Sequence, residues 1–115
     1  MIDARLGTLV SRLSEKTKRS EIRWEEGIKE GEYQANFPTY SVRIYPARDE
    51  DGDEGIWMTI IDGRGRRLET VTEFDFRQQT GDSSISSKLT ELYDMGRRQA
   101  LGVDRAIDEL LQQVG

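Results

Sequence analysis

The last third of the chain carries an apolar stripe longer than a small fold can hide. Leu89, Leu92, Tyr93, Gly96, Ala100, Val103, Ile107, Leu110, Leu111 and Val114 recur at steps of mostly three and four, the spacing that lines one side of an α-helix. The stripe passes straight through Gly102. Gly102 as a C-terminal cap followed by Asp104 as an N-cap gives two helices meeting at an angle, whereas the unbroken stripe favours one long helix, kinked at most at Gly102. A helix over 86–114 is ~43 Å long, and a compact fold of this length is only about 26–30 Å across. The helix end then overhangs, and its apolar side needs a cover. A second copy related by a twofold axis is the least costly cover, so the spacing predicts a homodimer. Tyr93, Val103, Ile107, Leu110, Leu111 and Val114 are its candidate interface.

Upstream the periodicity alternates. Ile2, Leu6, Leu9, Val10 and Leu13 form one stripe of a helix from about Asp3 to Thr17, with Lys16, Lys18 and Arg19 complementing the dipole at its end. From Ile22 the period becomes two. Ile22 and Trp24 read as a strand, turns follow at Gly27 and Gly31, and Tyr33, Ala35 and Phe37 read as the next strand. Pro38 marks a tight turn into a strand with Tyr40, Val42 and Ile44, which Pro46 is expected to end. After the polar loop 48–55 both faces of 56–61 are apolar, as in a central strand covered on two sides. The Asp62-Gly63-Arg64-Gly65 turn returns the chain through Leu68 and Val71. Phe74 and Phe76 look like anchors, and 77–87 reads as a loop rich in helix caps. The expected fold is α+β and a single domain over 1–115: an N-terminal helix, an antiparallel meander of four or five strands, and a long C-terminal helix, the helices on one sheet face.

Composition narrows the chemistry. The 115 residues include neither cysteine nor histidine, which removes disulfides, thiolate metal sites, histidine bases and most zinc sites. A reducing cytoplasm is the natural setting. The first residues, MIDARLGTLVSRL, mix charges with apolar groups and resemble neither a signal peptide nor a membrane span. A net charge of −5 repels polyanions, so nucleic acid is not the expected partner.

The remaining constellations carry little chemistry. Asp49, Asp51 and Asp53 alternate like calcium ligands, but Glu54 stands where such a loop needs glycine and Ile60 where it needs glutamate. The plain reading is a charged hairpin tip. Gly63-Arg64-Gly65 lacks the third glycine and the following helix of a dinucleotide fingerprint. Arg64 and Arg66, with Arg97 on the long helix, are candidate anion contacts for a nucleotide or other small molecule, set against ordinary surface pairing with nearby acids. Lys88, Ser87 and the many carboxylates show no spacing that pairs them for catalysis. Tyr45 and Trp57 alternate away from the main apolar set and mark a second, less covered sheet face suited to a protein partner.

The segment ELYDMGRRQALGVDRAIDELLQQ, from Glu91 to Gln113, resembles the C-terminal helix of small uncharacterised bacterial or phage domains, and the "EIRWEE" strand after an apolar helix is similar in order to the same group. That resemblance implies a bacterial or phage setting and no activity, cofactor or site residue. The function expected from the sequence is a non-catalytic interaction or regulatory module without cofactors, homodimeric and docking a partner protein; the alternative is a small-molecule binder using the arginines.

Overall fold

A computed structural model describes residues 3–80 and 83–115 of the chain. Its elements run α1 (Ala4–Lys18), β1 (Glu25–Glu26), β2 (Tyr33–Asn36), β3 (Tyr40–Arg48), β4 (Glu54–Asp62), β5 (Arg67–Thr72), α2 (Glu73–Thr80), α3 (Ser83–Leu101) and α4 (Val103–Val114). The strands form an antiparallel meander in which each pairs with the next in sequence. This is the α+β arrangement that the two periodicities predict.

α1 opens on Asp3, whose Oδ1 accepts the Arg5 backbone N–H at 2.9 Å, satisfying a donor that the first helical turn leaves free. It closes at Ser20, where the Ser20 N–H reaches the Thr17 carbonyl and the Glu21 N–H the Lys16 carbonyl. That pairing is a Schellman cap. Ile2, expected at the head of the apolar stripe, lies outside the described residues.

The core lies between the sheet and the two longer helices. Register stacks Ala35, Val42 and Ile60 across three strands, and Tyr33, Ile44, Met58 and Val71 across four. Val10 and Leu13 from α1 and Leu89 and Leu92 from α3 close over them. Each fully buried aliphatic side chain here contributes roughly 1.5–3 kcal/mol. Gly96 lets α3 approach closely, since a Cβ there would sit 3.3 Å from both Ile44 Cδ1 and the Trp24 ring.

Five expectations change. Ile22 and Trp24 are buried but not in a strand, because the Gln99 side chain takes the Trp24 N–H at 2.6 Å and donates to the Ile22 carbonyl at 3.1 Å. These residues bond to α3 instead of β2, and β1 shrinks to Glu25–Glu26. Pro46 does not end β3, which runs on to Arg48. The β2 ladder stops at the Tyr33–Ile44 pair, so one edge of β3 is free at Pro46 and its missing N–H breaks no bond there. The strand over 56–61 is covered on both faces but lies fourth in the order, and β3 is the middle strand.

The stretch after Thr72 is helical rather than loop-like up to Thr80, with α3 resuming at Ser83; positions 81 and 82 lie outside the described residues. Thr72 Oγ1 accepts the Asp75 N–H at 3.1 Å and Asp75 Oδ2 accepts the Thr72 N–H at 2.9 Å, a reciprocal capping box. Phe76 enters the core, while Phe74 and Glu73 lie over Gly55, where a Cβ would come within 2.7 Å and 2.5 Å of them. Finally, the long C-terminal helix is two helices. Gly102 adopts φ 65° and ψ 39°, left-handed backbone that glycine tolerates without strain, and α4 adjoins α3 rather than the sheet.

Candidate interaction surface

Gly102 divides the apolar stripe into a covered half and a bare half. Leu89 and Leu92 are fully buried and Gly96 and Ala100 pack inside, so α3 spends its share within the chain. Val103 is half-buried, and beyond it exposure reaches 43% at Ile107, 56% at Leu110, 67% at Leu111 and 84% at Val114. No residue of α4 is buried. The body is drawn out to 53 × 31 × 27 Å with a radius of gyration of 15.1 Å, against about 13 Å for a compact chain of this length.

Turning by about 100° per residue sets Asp104 and Asp108 one turn apart on the Leu111 border of the stripe. Arg105 and Glu109 pair at 3.1 Å on the far side. The Arg98 guanidinium donates to the Asp104 carboxylate across Gly102 and braces the angle between the helices. Asp108 has no ion pair among the described residues.

A second uncovered apolar surface lies between α1 and the sheet. Leu9, Leu13, Ile22, Val42 and Ile60 line a groove of about 370 Å³, with Phe37 and Tyr40 at its mouth and Arg12 and Lys16 on the α1 wall. The Pro38-Thr39 turn, closed by the Phe37 N–H on the Tyr40 carbonyl at 2.8 Å, holds both rings half in solvent. Arg12 has no ion pair among the described residues, and Lys16 stands 3.5 Å from Glu21. The sequence reading missed this groove because Phe37 and Tyr40 fit strand alternation; the signal was two aromatics flanking a proline turn.

The other candidates are more occupied. Tyr45 and Trp57 pair across β3 and β4 on the sheet face away from α1 and α3, rings 6.3 Å apart and half-buried. Around them the polar groups satisfy one another. Tyr45 Oη bonds Thr59 Oγ1 at 2.9 Å, Thr59 bonds Thr70 at 3.0 Å, and Arg43 bridges Gln34 and Glu32. The Trp57 indole N–H is buried without an acceptor among the described residues. Tyr93 belongs inside the fold: its ring lies 5.5 Å from Tyr33 and its hydroxyl donates to the Gly31 carbonyl at 2.9 Å. Burial raises its pKa above the ordinary tyrosine value, which keeps the donor protonated.

The arginines sit in separate pairings. Arg66 folds back on Asp62 at 2.8 Å and Arg97 on Asp94 at 2.8 Å, while Arg64 lends its backbone N–H to Asp62. Asp49 closes the β3–β4 turn by accepting the Asp51 and Asp53 N–H groups. Lys88 donates to Ser11 at 3.3 Å across the α1–α3 contact. Among the described residues no helix is long and apolar enough to cross a membrane. No family model, curated protein or solved structure matches the chain.

Proposed function

We propose that the protein is a non-catalytic interaction module of a reducing, cytoplasmic setting that assembles into a homodimer through the apolar seam of α4 and in that form docks a partner protein. The observation that carries this reading is the bare half of the stripe, Ile107 to Val114, on a helix with no buried residue. A soluble chain that maintains a strongly amphipathic helix away from its own core gains nothing from that pattern unless something covers it. The absence of histidine and cysteine from the sequence fits a surface that holds partners rather than one that polarises substrates.

Light scattering over a concentration series tests it. The expected result is a mass rising from one chain to two in the micromolar range, with Leu110→Glu/Leu111→Glu remaining a single chain throughout. A full-length protein that stays monomeric at high micromolar concentration overturns the reading.

A further inference from the structure

We propose that the α4 seam of one copy seats in the α1–sheet groove of a second copy, and reciprocally, so that two identical docks close the dimer. This rests on the homodimer reading and specifies the surface that receives the seam.

The two surfaces complement each other in shape of charge as well as in polarity. The seam is apolar with carboxylates on one border, and the groove is apolar with cations on one wall. Asp104 and Asp108 stand four residues apart, as do Arg12 and Lys16, so each pair spans about 6 Å along its helix. Asp108 and Arg12 are the members without an ion pair among the described residues. Laying α4 beside α1 with its acidic border toward the cationic wall turns Leu110 and Ile107 toward Phe37 and Tyr40, the exposed rings at the groove mouth.

Seam-to-seam pairing is the competing arrangement, and electrostatics opposes it. α4 carries Asp104, Asp108 and Glu109 against Arg105 alone, so two copies side by side bring like charge together and leave both grooves open. Seating in the chain's own groove is disfavoured by the hinge. The left-handed backbone at Gly102, with the Arg98–Asp104 bridge across it, directs α4 away from the body. A second copy accepts α4 as it stands. Because each chain offers both the seam and the groove, a twofold axis uses both and ends the assembly at two.

The experiment uses two full-length variants altered only at exposed positions: a seam variant, Leu110→Glu/Leu111→Glu, and a groove variant, Arg12→Glu/Tyr40→Glu. Circular dichroism and thermal unfolding establish that each is folded, and Arg12→Glu/Lys16→Glu replaces the groove variant should Tyr40→Glu disturb the turn. By sedimentation each variant alone is expected to dimerise roughly 100-fold more weakly than the unaltered chain, a loss that removing central anchors from both docks accounts for. An equimolar mixture is expected to recover a heterodimer, since one intact seam then meets one intact groove. A groove variant that dimerises like the unaltered chain overturns the proposal while leaving the homodimer reading intact. Two monomeric variants that form no heterodimer also overturn it, and an unaltered chain that never dimerises overturns both.

Discussion

Ser20 adopts φ 59° to close α1, and that conformation crowds the Cβ of any residue but glycine. The Schellman bonds from Ser20 and Glu21 hold it there. Ser20→Gly is therefore expected to raise stability by about 1 kcal/mol, since relief of the left-handed strain outweighs the extra freedom of the unfolded chain. A denaturant titration with an unchanged slope and a higher midpoint is the result that agrees. Carboxylates act at the same scale. Asp62 accepts the Arg66 and Arg64 N–H groups and the Arg66 guanidinium, with the Arg66 N–H the largest influence holding its pKa below the usual value. Asp3 is lowered to about 2, chiefly by the Arg5 guanidinium. A depressed carboxylate binds its proton more weakly when folded, so its contribution is complete above the unfolded pKa and is lost as pH falls through the folded one. Stability is expected to decline below about pH 4, and Asp62→Asn is expected to flatten part of that decline while lowering stability at neutral pH.

At the scale of elements, what could be read from the sequence depended on how local the deciding contacts are. α1, the 62–66 hairpin and the meander follow from neighbours in the chain, and they form where the periodicity places them. β1 is short because Gln99, more than seventy residues away, captures the backbone at Ile22 and Trp24, and no pattern near Trp24 announces that. α2 did have a local mark, Thr72-Glu73-Phe74-Asp75, the capping-box spacing, obscured by the polar residues that follow it. Gly102 is the balanced case. Continuity of the stripe argued for one helix, and the left-handed conformation prevails with the Arg98–Asp104 bridge beside it. The interface candidates divided near the same point: Val103 is half-buried and those from Ile107 onward are exposed, whereas Tyr93, one turn before Arg97, is held by Gly31. Gly102→Ala tests what the hinge is worth. Alanine destabilises the bent form by about 1 kcal/mol, so a straight α3–α4 helix is expected to gain population. The chain has no cysteine, so Glu91→Cys and Gln112→Cys give unique spin-label sites. The inter-label distance is expected to lengthen toward the roughly 32 Å of an unbroken helix.

For the whole molecule, stability is separable from the proposed assembly, because the core and the α4 seam draw on different parts of the chain. The core runs from Val10 to Leu92, and α4 buries nothing in it. Removing residues 103–115 takes away exposed apolar surface, the half-buried Val103 and the Arg98–Asp104 bridge, whose Asp104 side is 81% exposed. Surface changes of this kind are worth less than about 1 kcal/mol. At concentrations where the full chain is monomeric, the shortened protein is expected to unfold cooperatively within about 4 °C of it. The two should diverge on concentration. Association favours the folded state by mass action, so the melting temperature of the full chain is expected to climb as protein is added, while that of the shortened chain stays level. Equal slopes in the two series would mean that the seam takes no part in assembly; a shortened chain that fails to fold when dilute would mean that α4 supports the body through contacts its exposure does not reveal.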